Sequence, residues 1–329
     1  MRPEFRTWRV RDIPLVFNKE QLSDALQNHL VLHIPSRYVS GAGDAELNEH
    51  DNDVLVKTLA TDIRGTHLVA TVRFRRLPPL LGELEAGEPL AIEISTVSAD
   101  LPAGSKRKRE SGESCRIMID EDFYGLTVLS SPRDVEHKVD VLAISGLGSH
   151  AYGSYVHKLD GRMWLSDSLI DDHHSARVMI YGYDTKLRGS KSFEDLDGLA
   201  SSFQIALSEL VERSKEKRPI LVIGHSLGGL VIKEALIRIS ESDHESALLG
   251  PIAGALFLGV PNDGMDIESL IPMVDDQPNR FLLEILNRIN SQVLRIQKRN
   301  FLKVLEQWNI DLFCFYETLL SPTAAKVDT

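Results

Sequence analysis

The segment that most constrains the fold is PILVIGHSLGGLVIKEAL, residues 219–236. A short apolar run bounded by turn residues is typical of a strand buried on both faces of a sheet. The run G-H-S-L-G-G then predicts a sharp turn, and the apolar spacing after it predicts a helix that begins near Leu227. The segment therefore predicts a strand, a tight turn and a helix in immediate succession, the context in which G-x-S-x-G is informative.

Ser226 lies at this turn and is the candidate nucleophile, because a strained turn would project its Oγ from the carboxyl edge of the sheet. Gly224 and Gly228 leave room for strand and helix to approach each other. His225, beside the serine, either packs or lines the pocket. The helix N-terminus offers unpaired N–H groups to a developing oxyanion, with Leu227 N–H as the first donor. The alternative is a glycine-rich connection without a catalytic role.

A second oxyanion donor is expected from the loop after an earlier central strand. The run VDVLAISGLGSHAYGS fits, since an apolar strand is followed by Gly146, Leu147 and Gly148. Either Leu147 or Gly148 would supply the backbone N–H. The alternative is a glycine turn with no part in catalysis.

Strands and helices alternate in the second part of the chain, which predicts a doubly wound, mostly parallel α/β sheet with right-handed crossovers. Helices are expected around residues 194–216 and 227–240. The predicted strands are residues 138–145, 175–183, 219–224, 253–259 and 311–317.

Residues 266–308 interrupt this alternation with a helix-like insertion between the last two strands. The insertion is either a cap over a pocket or an ordinary pair of packed helices. Its apolar residues are spaced as an amphipathic stripe, formed by Leu282, Leu286, Ile289, Val293 and Ile296.

Residues 1–100 predict a small α+β module with a β-α-β-β order, whose helix begins with a capping box at Asn18 and Gln21. The module faintly resembles an RNA-recognition motif. Arg9, Val69 and Thr71 replace the aromatic residues that stack bases in that family, so no nucleic-acid binding is expected. A protein-contact role or a purely structural role remains.

Residues 101–120 are polar and predict a linker, which places the second domain at 121–329. The basic run KRKR at 106–109 is either a nuclear localisation signal or a solvated part of that linker.

Composition predicts an intracellular, cytoplasmic protein. The net charge is −11, and two cysteines give neither a disulfide framework nor a zinc site. No secretory signal and no apolar run of spanning length occur. Motifs for nucleotide or metal binding are absent from the sequence, so we expect no cofactor and no metal.

The motifs VLAISGLGSHAYGS, RVMIYGYDT, PILVIGHSLGGLVIKEAL and ALFLGVPNDGMD resemble, in this order, the lipase-like serine esterase family of the α/β-hydrolase superfamily. That family is related to GPI-inositol deacylases and is found at the N-terminus of fungal NOD-like receptor or ankyrin-type proteins. The resemblance covers about residues 121–323. It implies an α/β-hydrolase fold, with Ser226 as nucleophile and oxyanion roles for Leu227 and the Gly146–Gly148 loop. It also suggests peripheral association with endoplasmic reticulum or mitochondrial membranes as the alternative location.

Two positions depart from the family pattern. Relatives commonly read H-G-L-G-G-H in the oxyanion loop, where this chain has Ser145 in the first position. Relatives commonly read T-P-H-x-G after the next strand, where this chain has Asn262 in place of the histidine. Both changes replace an imidazole with an uncharged polar group.

The general base is the missing part of the predicted site. In this fold the order is serine, acid, histidine, but the last of the 11 histidines is His244. Glu317 is the first candidate acid, followed by Asp263 and Asp311, although a plain strand-end carboxylate explains Glu317 equally well.

Two hypotheses remain open. The first is a serine hydrolase of carboxyl or lipid esters that acts through an acyl-enzyme on Ser226, with its histidine on further chain. The second is a hydrolase-fold effector or interaction module of a longer signalling protein, with weak catalysis or none. Protein partners would bind through the N-terminal module.

Overall fold

The computed structural model describes two units. The first comprises residues 1–122, 128–131 and 159–161, and the second comprises the rest of the chain. The described residues are 6–31, 53–85, 87–95, 114–190, 192–214, 216–274, 277–288 and 292–318.

The first unit is a five-stranded antiparallel sheet with the spatial order β2-β3-β1-β5-β4. One face of this sheet is apolar and packs with α1 around Trp8, Val10 and Leu22. The elements are β1 (Trp8–Ile13), α1 (Lys19–Leu26), β2 (Val54–Thr61), β3 (Leu68–Phe74), α2 (Pro79–Gly82), β4 (Leu90–Ser95) and β5 (Ser114–Asp120).

The capping box at the start of α1 is confirmed. Asn18 Oδ1 accepts the N–H of Gln21 at 2.8 Å, and Gln21 Oε1 accepts the N–H of Asn18 at 3.0 Å. These two bonds satisfy donors that the first helical turn leaves unpaired. The local sequence was sufficient here because all four atoms lie within one turn of chain.

Two strands of this unit were missed. The predicted β-α-β-β order lacks β2, and the predicted linker at 101–120 is wrong over residues 114–120, which form β5. These seven residues pair with β1 and β4, so the sheet supplies the backbone partners that their polar neighbourhood did not suggest. The remaining linker residues from 101 to 113, including 106–109, lie outside the described residues.

Arg9, one of the three residues that replace base-stacking aromatics, is buried. Its Nε donates to Asp120 Oδ2 at 3.0 Å, and Arg11 also lies within 3.5 Å of that oxygen. Burial lowers the pKa of the Arg9 guanidinium, and the neighbouring carboxylate of Asp120 opposes this effect. Arg9 is therefore held in a buried ion pair within this unit.

The second unit is the predicted doubly wound α/β sheet. Its six strands have the order β11-β10-β9-β7-β8-β6, and the four neighbouring pairs from β11 to β8 are parallel. The strands are β6 (Gly125–Ser130), β7 (Val139–Ile144), β8 (Ala176–Gly182), β9 (Ile220–His225), β10 (Ile252–Leu258) and β11 (Asp311–Phe315). Residues 128–130 of β6 are counted with the first unit. The five predicted strands are confirmed, and the short edge strand β6 was missed.

The helices of this unit include the two that the sequence predicted, α5 and α6. They pack against each other, and α6 also packs against α9. The bounds are α3 (Trp164–Asp167), α4 (Leu169–Asp172), α5 (Leu196–Arg213), α6 (Leu227–Glu241), α7 (Ile271–Val274), α8 (Arg280–Ile285) and α9 (Gln292–Trp308). Within the described ranges, no helix is both long and apolar enough to cross a membrane.

The insertion at 266–308 divides into two parts. Helix α9 is a crossover helix that packs on α6, where Gln297 Nε2 donates to Leu230 O at 3.1 Å. The predicted stripe is wrong for Val293 and Ile296, which are exposed, because α9 begins a new helical phase after α8 ends. Ile289 lies outside the described residues. The buried face of α9 is formed by Leu294, Gln297, Phe301 and Val304.

A buried charged network lies at the amino ends of β7 and β8, the opposite sheet edge from Ser226. Arg177 binds Asp140 through two bonds, Nε to Oδ1 at 2.7 Å and Nη2 to Oδ2 at 2.8 Å. His137 Nε2 lies 2.9 Å from Asp140 Oδ1, and Arg218 Nε donates to the His137 carbonyl. Asp140 is 1% exposed, so its charge depends on these partners.

We expect the stability of this unit to fall as the pH drops below about 6.5, the ordinary pKa of histidine. Burial lowers the pKa of His137; the Asp140 carboxylate raises it less, and Arg177 and Arg218 lower it further. The folded state therefore favours neutral His137. The contribution of neutral His137 to the free energy of unfolding is complete above the pKa of the unfolded state and is lost as the pH falls through the pKa of the folded state. Urea unfolding from pH 7.5 to 5 measures this loss. His137→Gln should show a smaller fall over the same interval, and an identical slope would contradict the prediction.

Candidate active site

The predicted strand–turn–helix is present around Ser226. Strand β9 ends at His225, helix α6 begins at Leu227, and Ser226 stands between them with φ 51° and ψ −124°. Serine rarely adopts this backbone conformation, which is expected at a nucleophile elbow. The Ser226 N–H donates to Leu258 O at 2.9 Å, and the residue is partly exposed. The turn therefore presents the hydroxyl at the carboxyl edge of the sheet.

Two glycines allow the backbone to approach closely around this turn. A Cβ added to Gly224 would lie 2.6 Å from the Cα of Gly229 in α6. A Cβ added to Gly228 would lie 2.5 Å from the carbonyl oxygens of both Ile144 and Ser145 at the end of β7. No side chain fits at these distances without moving backbone. The elbow glycines are therefore explained by packing between β9, α6 and β7.

The loop after β7 lies against the serine. A Cβ added to Gly146 would lie 2.7 Å from Ser226 Cβ and 3.2 Å from its Oγ. The next residues of this loop are Leu147 and Gly148, both assigned as candidate oxyanion donors. The structure thus brings together the two glycine turns that the sequence placed at the ends of separate strands.

Leu147 and Gly148 are the two alternative donors predicted for this loop. The Gly148 N–H donates to Thr185 O at 2.6 Å, so it is occupied while this bond is present. This favours Leu147 as the candidate donor from this loop. Leu227 is the first residue of α6 and stays the other candidate, because the first N–H groups of a helix have no intrahelical acceptor. The sequence could not distinguish Leu147 from Gly148, since the competing acceptor lies on another loop.

Ser145, where relatives have histidine, is fully buried. Its carbonyl accepts the hydroxyl of Tyr183 at 2.9 Å, while its own Oγ has no hydrogen-bond partner among the described residues. Burial raises the pKa of Tyr183, so this hydroxyl stays protonated as a donor. The Tyr183 hydroxyl thus holds the residue that precedes Gly146 through its backbone carbonyl.

His150, in the same loop, has a structural role. Its Nδ1 accepts the backbone N–H groups of Tyr152 at 3.2 Å and Gly153 at 2.9 Å. The ring also packs edge-on against Phe123. A ring held by these contacts is not placed to accept a proton from Ser226.

Glu317 lies at the same sheet edge as Ser226. In the register of the sheet, His225 is opposite Leu258 and Leu258 is opposite Phe315, two residues before Glu317. The Glu317 Oε1 atom lies 3.8 Å from the position of a Cβ on Gly259. Burial lowers the pKa of His225, and the Glu317 carboxylate partly opposes that shift, which indicates that the two side chains interact electrostatically.

The two other candidate acids are not placed like Glu317. Asp311 begins β11 and pairs in register with Gly254, so it lies toward the opposite edge of the parallel sheet from Ser226. Asp263 lies in the loop after β10 and forms an exposed ion pair with Lys298 at 3.1 Å. The topology therefore favours Glu317 as the candidate acid, because it follows β11 at the edge of the sheet where Ser226 lies.

Lys233 is a residue that the sequence analysis missed. It is 4% exposed, its Nζ donates to Asn262 Oδ1, and it lies 5.4 Å from the ring centre of Phe257. Burial lowers the pKa of Lys233 to about 8. The contact between Lys233 and Asn262 joins α6 to the loop after β10. The signal in the sequence that could have indicated a buried lysine is its position within an otherwise apolar part of α6.

Two arrangements that can activate a nucleophile, a metal site and a histidine bonded to the serine, are not found in the described part of the chain. No cluster of three or more metal-ligating side chains is present there. No histidine in the described ranges is hydrogen-bonded to Ser226 Oγ. A base for the serine is therefore not part of the described arrangement.

The sheet order, the strained serine and the loop packed against it have the arrangement of the α/β-hydrolase fold. In agreement, residues 161–260 match the family described as "Putative serine esterase (DUF676)". That match includes the elbow and β8, β9 and β10. It supports the class of hydrolase without identifying a substrate.

Curated relatives share this region. Protein SERAC1 of Danio rerio is 26% identical over 206 residues, which cover 55% of this chain and 30% of the relative. Protein SERAC1 of Homo sapiens is 25% identical over 164 residues, covering 47% of this chain and 24% of the relative. The matches thus span less than a third of the length of these relatives.

Solved structures show a distant similarity. Mature Bacillus licheniformis lipase BlEst2 is 14% identical with a TM-score of 0.42, over 58% of this chain and 70% of the lipase. Phospholipase PlaB from Legionella pneumophila is 15% identical with a TM-score of 0.41, over 55% of this chain and 39% of PlaB.

Proposed function

We propose that this chain is a serine hydrolase that cleaves carboxyl or lipid esters through an acyl-enzyme on Ser226. The observation that carries the proposal is the strained backbone of Ser226, with Gly146 of the oxyanion loop packed against its side chain. A strained residue persists only when its surroundings support the conformation, and such residues cluster at functional sites.

The reaction follows from these positions. Ser226 Oγ attacks the ester carbonyl carbon and loses its proton to a base, and the carbonyl oxygen becomes an oxyanion. The N–H groups of Leu147 and Leu227 donate to this oxyanion. Collapse of the tetrahedral intermediate breaks the bond to the alcohol, which leaves with the proton returned by the base. Water then hydrolyses the acyl-serine by the same steps.

The base is the part that this chain does not supply at the expected place. Glu317 is the proposed acid and would orient a base histidine, but no histidine follows His244 in the sequence. General-base catalysis contributes about 10²–10⁴-fold to such reactions. We therefore propose that these 329 residues have little or no esterase turnover, although they carry the proposed nucleophile and the proposed oxyanion donors.

An apolar side chain near the proposed donors supports an ester with a hydrocarbon portion. Leu187 lies next to Gly148 in the oxyanion loop, since a Cβ on that glycine would be 3.1 Å from Leu187 Cδ1. Apolar side chains are typical of sites that bind apolar ligands. The proposed substrate class is therefore an ester or lipid with an apolar acyl group.

Labelling with a fluorophosphonate tests the proposal, because the Ser226 oxygen would bond to phosphorus as fluoride leaves. We expect slow labelling of the wild type and an increase when imidazole is added as an external base. Mass spectrometry of the peptide that contains Ser226 gives the rate and the site.

Ser226→Ala should abolish labelling, whereas Ser240→Ala, a change in the same helix, should leave it unchanged. Labelling that survives Ser226→Ala would contradict the assignment of the nucleophile. Rapid labelling without imidazole would show that a base is already present. A wild type that stays unlabelled even with imidazole would favour the interaction module over the hydrolase.

A further inference from the structure

We infer that Asn279 is a positioning residue that braces the oxyanion loop from the segment before α8. The inference rests on the proposed function, because it concerns the same serine and the same donor loop. It adds a residue that lies outside both glycine turns and outside the strand–turn–helix. The brace has two steps, which join residues 277–279 to residues 185–189 and those in turn to residues 147–149.

The first step is a set of hydrogen bonds from Asn279. Its side chain is buried, with the residue 5% exposed, and Nδ2 donates to Lys186 O at 2.6 Å and to Leu187 O at 3.4 Å. Turning the amide over would bring Oδ1 against these two carbonyl oxygens, so the donor orientation is the one that the contacts allow. Oδ1 itself is buried without a partner among the described residues, a cost that the donor side must offset.

A neighbouring contact strengthens the same connection. Gln277 Oε1 accepts the N–H of Gly189 at 3.2 Å. The loop after β8 is thus held at three backbone positions by two side chains that are two residues apart. Side chains of the segment before α8 therefore bind the backbone of the loop after β8. Removing one of these side chains would weaken the connection.

The second step leads from this loop to the oxyanion loop. Thr185 O accepts the N–H of Gly148 at 2.6 Å, and Thr185 Oγ1 donates to Ser149 O. The side chain of Leu187 also lies close to Gly148, since a Cβ on that glycine would be 3.1 Å from Leu187 Cδ1. Residues 147–149 are therefore held on one side by the loop that Asn279 binds. Gly146, at the start of the same turn, contacts Ser226.

This arrangement determines where the Leu147 N–H lies. Oxyanion donors act at about 2.7–3.1 Å, and a misplacement of about 1 Å can cost about 10²-fold in rate. Because Gly148 is anchored to Thr185, a shift of the Thr185 loop would move the adjacent Leu147 N–H. Loss of Asn279 would thus weaken oxyanion stabilisation without touching Ser226 or the substrate.

Hydrogen exchange tests the brace directly in the full 329-residue chain. We expect Asn279→Ala to speed amide exchange in residues 184–189 and also in 146–149, by about 10-fold, because one anchor of the first loop is lost. Asn279→Asp, which keeps the size and loses the donor, should behave alike. Arg280→Ala, whose side chain pairs with Glu284, is the matched control and should leave both segments unchanged. Unchanged exchange in 146–149 in Asn279→Ala would overturn the inference.

Fluorophosphonate labelling with imidazole gives the second readout. We expect Asn279→Ala to lower the maximal rate of labelling by about 10–100-fold, with the half-saturating probe concentration changed less than about 2-fold. A merely structural role would lower the melting temperature and leave the labelling rate of the folded protein unchanged. If the wild type is not labelled, the proposed function fails, while the exchange experiment still decides whether Asn279 braces the loop.

Discussion

Gly146→Ala is expected to reduce fluorophosphonate labelling of Ser226 by about 10²-fold or more. The added methyl group would lie 2.7 Å from Ser226 Cβ and 3.1 Å from the carbonyl oxygen of His225. Neither neighbour has room to move, since both belong to the strained elbow between β9 and α6. Displacement of the serine or of the Leu147 donor by about 1 Å is enough for a loss of this size.

The control for this experiment is Gly198→Ala. Gly198 lies in the first turn of α5, where an added Cβ would meet its neighbours at 3.5 Å or more. Alanine is favoured over glycine in a helix, so labelling should stay at the wild-type rate. Circular dichroism would show whether Gly146→Ala remains folded. Wild-type labelling in Gly146→Ala would refute the close contact between the oxyanion loop and Ser226.

Arg177→Ala is expected to destabilise the second unit by about 3–5 kcal/mol. The change removes both bonds that Arg177 makes to Asp140, a carboxylate that is 1% exposed. Removing one partner of a buried ion pair costs this much because the remaining charge loses its counter-ion. His137 still contacts Asp140, but burial favours its neutral form, so it does not replace the cation. Urea unfolding at pH 7.5 measures the change in the free energy of unfolding, followed by the fluorescence of Trp164 and Trp308 in a Trp8→Phe background, because Trp8 belongs to the first unit.

Two further variants separate this effect from the loss of a surface charge. Arg133→Ala removes an exposed partner of Glu136 and should not change the unfolding midpoint measurably. Arg177→Lys keeps the charge and loses the paired geometry, so its stability should lie between those of the wild type and Arg177→Ala. A midpoint for Arg177→Ala equal to that of Arg133→Ala would show that the network does not stabilise the fold.

The elbow and the parallel sheet could be predicted because their signals are local. A buried strand, a glycine turn and an amphipathic helix each have a characteristic pattern within a few residues, and in residues 219–236 they follow one another directly. The capping box at Asn18 and Gln21 is local in the same way. Strands β2, β5 and β6 were missed because their pairing partners, more than their own patterns, make them strands.

The amino-acid sequence by itself determined five strands and two helices of the second unit, the serine at the turn and the lack of a histidine after His244. Only the tertiary structure decided that Thr185 occupies the Gly148 N–H, that Glu317 lies nearer the serine edge than Asp311, and that Asn279 binds the loop after β8. The physical reason is range. Periodicity and backbone strain act between neighbours in the chain, whereas a hydrogen-bond partner is chosen by packing between segments far apart in sequence.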